Sequence, residues 1–167
     1  MFYVKKYKSP VGELTIASDG LNITGLWMKG QKHFAVTLPA EHEEGKDLPV
    51  FAAAEKWLDD YFSGRKPSPS ELPLAPAGSE FRQTVWKILT EIPYGETMTY
   101  GGIAEITAKR LGRKTMSAQA VGGAIAHNPI GIIIPCHRVI GTDGSMTGYA
   151  GGIDKKIALL QLEGAEK

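Results

Sequence analysis

The 167-residue sequence is poor in the side chains that staple small proteins. Its one cysteine, Cys136, excludes an intramolecular disulfide framework and any zinc site built from several thiolates. The histidines, at 33, 42, 127 and 137, show no paired ligand spacing, so neither a metal nor a cofactor is expected. No apolar run approaches the roughly 20 residues that cross a bilayer. The N-terminus, Met-Phe-Tyr-Val-Lys-Lys-Tyr-Lys, lacks the apolar stretch and cleavage site of a secretory signal. A cytoplasmic protein without a membrane partner is the expectation. Net charge is also missing, because 19 basic residues face 18 acidic ones.

That balance hides a gradient. Residues 1–78 carry a net charge of −1 and residues 79–167 carry +2. Between 109 and 156, seven basic residues (Lys109, Arg110, Arg113, Lys114, Arg138, Lys155 and Lys156) face only Asp143 and Asp154, a local charge of +5. Such a stretch fits a nucleic-acid surface as well as it fits a solvated face.

Strand-like runs of β-branched and aromatic residues occupy 2–8, 12–18 and 21–28. Pro10-Val11-Gly12 and the hairpin signal Asp19-Gly20 separate them. Residues 29–49 show no period, and Glu41-His42-Glu43-Glu44 reads as a solvated loop. Val50, Ala54, Trp57, Leu58 and Tyr61 then mark one face of a helix that Gly64 ends. Four prolines between 65 and 78 predict an extended linker between domains spanning 1–76 and 77–167.

Three helices are predicted beyond the linker. Ser79 caps the first, whose buried face is Phe81, Val85, Trp86, Ile88, Leu89 and Ile92, and Pro93-Tyr94-Gly95 stops it. Thr99 caps the second, with Ile103, Ala104, Ile106 and Leu111 inward. After a basic loop, Ser117 caps the third, which ends at Asn128-Pro129. The last two fit a helix-turn-helix. Ala118, Ala120, Gly122, Gly123, Ala124 and Ala126 leave the third helix nearly bare, for tight packing or for close approach to a groove.

Residues 131–140, Gly-Ile-Ile-Ile-Pro-Cys-His-Arg-Val-Ile, read as an apolar strand running into Pro135. Cys136 is a nucleophile as thiolate, and His137 and Arg138 are the neighbours that would lower its pKa. On an extended strand adjacent side chains diverge, so a Cys-His relay requires a turn or a bridging water.

Pro135-Cys136-His137-Arg138-Val139 closely resembles the signature of the O6-alkylguanine-DNA alkyltransferases. The resemblance runs from about Phe81 through Gly164. It includes Pro93-Tyr94-Gly95-Glu96, Tyr100, Ala120-Val121-Gly122-Gly123-Ala124, Asn128-Pro129, Gly148-Tyr149-Ala150-Gly151-Gly152 and Leu162-Glu163-Gly164. It implies an α+β fold: an N-terminal ribonuclease-H-like three-stranded antiparallel sheet with a helix, then a C-terminal winged helix-turn-helix DNA-binding domain. It also implies irreversible, single-turnover alkyl transfer by a monomer to a cysteine from O6-alkylguanine, or O4-alkylthymine, flipped out of double-stranded DNA.

By the same resemblance Cys136 is the acceptor, His137 the base acting through water, and Glu163, near the end of a helix over 155–162, its orienting carboxylate. Tyr100 donates to the leaving base and Asn128 braces the active-site turn. Arg138, Val139, Tyr149 and Ala150 line the base pocket. Lys114, Ser117, Ala120, Gly122, Gly123 and Ile125 belong to the DNA-facing surface. Gln119 stands where many members carry an arginine finger, and the 109–115 loop is longer than in shorter members. Three rivals remain: a thiol hydrolase, a helix-turn-helix regulator, and a non-catalytic binder of alkylated DNA, whose defining change would be loss of the cysteine.

Overall fold

A computed structural model describes residues 1–146 and 148–165, and the chain divides into two units. Met1–Ala77 together with Pro129–Ile133 forms one, and Gly78–Asn128 with Ile134–Lys167 forms the other. A single linear boundary therefore misses a short return of the chain to the first unit.

In the first unit, β1 (Phe2–Ser9), β2 (Gly12–Ser18) and β3 (Ile23–Met28) pair antiparallel in sequence order. The segment read as a solvated loop instead contributes a fourth strand. His42–Glu44 (β4) adds parallel to β1, giving the order β3-β2-β1-β4. Its three residues are all exposed, so no apolar alternation announces it. A short charged strand also suits a sheet edge, where it discourages pairing with other chains.

The helix α1 (Pro49–Phe62) lies on the sheet face that carries Lys5 and Tyr7. Glu55 pairs with Lys5 at 2.8 Å, and Asp59 accepts from the Tyr7 hydroxyl at 2.5 Å. Leu14 and Ile16, opposite Tyr7 and Lys5 in register, point the same way. On the other face Val4, Ala17 and Trp27 cluster with Ala35 and Leu38. Gly25 is required there, because a Cβ would stand 2.1 Å from the Trp27 ring.

The proline-rich stretch is held to its unit rather than free. Ser68 caps a 3₁₀ turn at Pro69–Glu71, and the Trp57 indole donates to Ser68 O at 2.8 Å. Ile23 N then donates to Pro73 O and Ala75 N to Ile23 O. The predicted strand before Pro135 is also absent. Only Ile130 makes a β-bridge, to Leu26, and residues 131–134 form turns in which Ile132 has φ +67°. All three isoleucines are buried, so the apolar run reports burial and not extended pairing.

The second unit contains α2 (Glu80–Leu89), α3 (Tyr100–Arg110), α4 (Ala118–Ala126) and α5 (Ile153–Leu162). Ser79, Thr99 and Ser117 accept from Arg82 N, Gly102 N, and Gln119 N with Ala120 N, so all three expected caps are made. The Trp86 indole donates to Ala124 O at 2.9 Å and fixes α2 against α4. Thr107 and Ala108 are buried on α3, whereas the expected Ile106 and Leu111 are half-buried. Met98–Thr99 (β5) pairs parallel with Val139–Ile140 (β6), holding the start of α3 beside the residues that follow Cys136.

Candidate active site

Cys136 lies in a 3₁₀ turn, Cys136–Arg138, so consecutive side chains need not diverge as they would on a strand. The turn is braced from outside. The Asn128 side-chain amide donates to Ile134 O at 2.9 Å, and Cys136 N donates to Ile134 O at 2.8 Å. Asn128 also hydrogen-bonds the Cys136 sulfur. The thiol is 8 % exposed, and burial pushes its pKa up. The Asn128 amide, the Lys156 charge and a backbone N–H act in the opposite direction.

His137 and Glu163 form a closed pair, Nε2 to Oε2 at 2.6 Å, with neither side chain exposed. Glu163 holds a pKa of about 2 in spite of its burial, because His137 and Arg138 hydrogen-bond its charged form. An ionised carboxylate only accepts, so His137 carries its hydrogen on Nε2 and its basic lone pair on Nδ1. Burial lowers the His137 pKa, and the Arg138 and Lys156 charges add to that effect against Glu163.

Glu163 reaches this position through local backbone chemistry. It is the C-cap of α5, and Gly164 follows at φ +77°. Gly164 N donates to Gln161 O and Ala165 N to Leu160 O, the pair of bonds that defines a Schellman turn. The Leu162-Glu163-Gly164 string thus ends the helix so that the carboxylate faces inward. The Pro93-Tyr94-Gly95 turn closes on it: Gly95 N donates to Glu163 Oε1 at 3.3 Å and the Tyr94 hydroxyl to Leu162 O at 3.2 Å.

Arg138 is buried beside this pair. Its Nε donates to Glu163 Oε1 at 2.8 Å, Nη2 to Oε2 at 3.2 Å, and Nη1 to Ile92 O at 2.6 Å. Lys156 is also interior, with Nζ 2.5 Å from Val139 O. Two of the seven basic residues in the 109–156 stretch therefore lie inside the protein, and a third, Arg110, is paired with Glu91 at 2.5 Å. Sequence reasoning placed Arg138 in the base pocket and assigned Lys156 no role. A signal for Lys156 was present: it lies three and four residues before Leu159 and Leu160, on the apolar stripe of α5.

Tyr100 begins α3, and its hydroxyl donates to Gly148 O at 3.4 Å. Burial and the nearby Cys136 raise its pKa, so it stays protonated. Tyr149 and Ala150 are half-buried in the loop before α5, and burial lifts the Tyr149 phenol well above its usual range.

The α4 residues stand apart from this cluster. Gln119, Ala120 and Gly123 are exposed and Gly122 is half-buried, whereas Ile125 is buried with Val121 and Ala124. The Ile125 side chain thus serves the core. Lys114 and Ser117 are exposed at the entry to α4. A cleft of about 530 Å³ between α3 and this entry is lined by Lys109, Arg113, Lys114 and Met116, and by none of the residues around Cys136. Among the described residues, no group of three His, Cys, Asp or Glu side chains is placed to hold a metal. No described helix is long and apolar enough to cross a membrane.

An α+β unit joined to a helix-turn-helix unit, with a buried cysteine beside a His-Glu pair, defines a class of DNA-modifying thiol proteins. Residues 2–76 match the ribonuclease-like domain of 6-O-methylguanine DNA methyltransferase, and residues 80–165 match its DNA-binding domain. The chain belongs to the 6-O-methylguanine DNA methyltransferase family. A methylated-DNA–protein-cysteine methyltransferase of Methanosarcina acetivorans is 46% identical over 165 residues, covering 98% of this chain and 99% of that one. The Haemophilus influenzae protein of the same name is 42% identical over 161 residues, covering 96% and 86%. A Mycobacterium tuberculosis structure solved in complex with DNA superposes with a TM-score of 0.83 at 42% identity, covering 98% and 93%.

Proposed function

We propose that the protein repairs alkylated double-stranded DNA by moving the alkyl group of O6-methylguanine, or of O4-methylthymine, once and irreversibly onto the Cys136 sulfur. The observation that carries this reading is the buried thiol, held by Asn128 and followed directly by a His137–Glu163 pair whose tautomer leaves Nδ1 basic. The relatives' names specify the same acceptor, a cysteine of the protein itself.

His137 Nδ1 takes the thiol proton through a bridging water, and Glu163 stabilises the imidazolium that results. The thiolate lone pair forms the S–C bond as the O6–C bond breaks. The electrons of that bond pass into the guanine ring, where the Tyr100 hydroxyl supplies a proton to a ring nitrogen. The imidazolium and the phenolate then exchange protons with solvent. A thioether has no low-energy route back to a thiol, so each chain acts once.

The target base reaches Cys136 only after leaving the duplex stack. The bare exposed flank of α4, at Ala118, Ala120, Gly123 and Ala126, suits close approach to a minor groove. Lys114 and the capped start of α4 suit phosphate contact. Val139, Tyr149 and Ala150 line the base pocket. Arg138, with its bonds to Glu163 and Ile92, acts as a positioning residue. Residues 1–76 and 77–167 serve as the two functional domains, in a monomer that works in the cytoplasm or nucleoid.

The test is the mass of the intact chain after mixing with a duplex carrying one O6-methylguanine. Gain of one methyl group, mapped to Cys136 and saturating at one per chain, is the expected result. Lesion binding without mass gain would instead make the protein a non-catalytic binder of alkylated DNA.

A further inference from the structure

Lys156 contradicts its local surroundings in three ways. It sits in the first turn of α5, where the helix dipole disfavours a cation. It occupies an apolar-stripe position and is 0 % exposed, where burial penalises charge. Sites where a sequence breaks local rules are those where function is expected to compensate.

Its contacts converge on the reacting groups. Nζ donates to Val139 O at 2.5 Å, just beyond the cysteine turn, and to Gly148 O at 3.4 Å, in the loop that carries Tyr149. Gly148 O also accepts from the Tyr100 hydroxyl, and Nζ stands 5.9 Å from the centre of the Tyr100 ring. The anion-forming group whose field acts on Lys156 is Cys136. Six other groups surround the pair: Tyr100 from α3, Asn128 after α4, His137 and Arg138 in the turn, Tyr149 in the loop, and Glu163 at the end of α5. Glu163 is already engaged by Arg138 and His137. The two tyrosines stay protonated, and burial favours neutral His137. With Arg138, Lys156 and Glu163 ionised, the cluster is cationic while Cys136 is a thiol and neutral once it is a thiolate.

We propose that Lys156 is a positioning residue for the transfer, its buried ammonium acting as counter-charge to the Cys136 thiolate while it ties the cysteine turn to the Gly148–Tyr149 loop. The proposal rests on the reading of Cys136 as the alkyl acceptor. When the thiol ionises, its proton leaves through His137 and Lys156 keeps its own. Once the sulfur is alkylated the counter-charge has lost its anion, and the ammonium holds its proton less tightly.

Two measurements test this without DNA. The first follows thiolate ultraviolet absorbance against pH, with iodoacetamide alkylation rates alongside. Lys156→Gln keeps a donor for Val139 O but removes the charge, and Lys156→Arg keeps the charge. The Gln variant is expected to raise the thiolate midpoint by about one unit or more and to slow alkylation at neutral pH about tenfold. The Arg variant is expected to stay near the wild type. A wild-type midpoint in Lys156→Gln would reduce Lys156 to a hydrogen-bonding clamp and overturn the proposal.

The second measurement needs no variant to fold. The Lys156 Nζ resonance of the wild-type protein is titrated by NMR before and after methylation of Cys136 with iodomethane. A downward pKa shift after methylation is expected, and no shift would overturn the proposal. Failure to accept a methyl group from lesion duplex, with both titrations as expected, would count against the repair reading and leave the thiolate–ammonium pair standing.

Discussion

Arg138 and Glu163 form a forked ion pair inside the protein, with Nε to Oε1 at 2.8 Å and Nη2 to Oε2 at 3.2 Å. The same carboxylate accepts from His137 Nε2 at 2.6 Å. Glu163 therefore divides its charge between an arginine and the base. A carboxylate facing His137 alone would hold a proton on the imidazole more strongly, and a protonated imidazole cannot take one from Cys136. Arg138 keeps the base neutral.

Replacing Arg138 with Met gives Glu163 wholly to His137 and removes a cation that lowers the His137 pKa. In the wild type that pKa lies below the ordinary 6.5, so the neutral base persists into mildly acidic solution. In Arg138→Met the acid limb of the methyl-transfer rate profile moves to higher pH, and in Arg138→Lys it moves less. Single-turnover rates on an O6-methylguanine duplex across pH measure this. An acid limb at the wild-type position would show that Arg138 does not tune the base.

Glu163 also links stability to acid. Its folded pKa is about 2 against an ordinary value of 4.5. Its contribution is fully present above 4.5 and is lost as pH falls from 4.5 towards 2. His137 adds an earlier decline. Its folded pKa is depressed, so below 6.5 the unfolded chain binds the extra proton first. In Glu163→Gln the drop below 4.5 disappears. The variant is also less stable at neutral pH by about 3 kcal/mol, because Arg138 is left buried without its anion. Urea unfolding from neutral pH down to about pH 2.5 measures both effects. A Gln variant that keeps the wild-type acid profile would place the linkage elsewhere.

Much of this arrangement was legible residue by residue. Ser79, Thr99 and Ser117 announce helix starts because a cap acts within three residues of its own position. Glu163 and Gly164 were readable for the same reason, as a helix end. What the sequence did not disclose depends on partners far along the chain. Arg138 reaches Ile92 O across 46 positions, and Lys156 reaches Val139 O across 17. Each looks like a surface cation until its distant acceptor is known. The run at 131–134 misled for a related reason: burial makes any segment apolar, and the Asn128 bond to Ile134 O, with Ile132 at φ +67°, turns this one away from a strand.

Gly123 separates packing from contact on α4. A Cβ there would meet nothing within 4 Å, so packing within the protein does not require glycine. Gly123→Ala is expected to stabilise the free protein by about 0.5–1 kcal/mol through helix propensity. Gly123→Leu is expected to keep the fold and weaken duplex binding at least about tenfold, because the bare flank is where a minor groove would approach. Thermal melts and a binding titration check the two halves. Unchanged duplex affinity in Gly123→Leu would remove this flank of α4 from the DNA surface.

Gln119 lies one residue beyond the start of α4, exposed, with its backbone N–H capped by Ser117 Oγ at 3.1 Å. From there a long side chain can enter the space left by a flipped base. Glutamine can fill that space and hydrogen-bond the orphaned cytosine, but it brings no charge to a groove lined by phosphates. Gln119→Arg supplies the charge without touching Cys136, His137 or Glu163. It is expected to speed repair of duplex substrate several-fold, with a steeper salt dependence, and to leave the reaction with free O6-methylguanine base unchanged. Comparing the two substrates isolates the flipping step, since the free base needs no extrusion. Slower repair of duplex by the Arg variant would show that the neutral side chain is the better fit, and that flipping here does not draw on a charged finger.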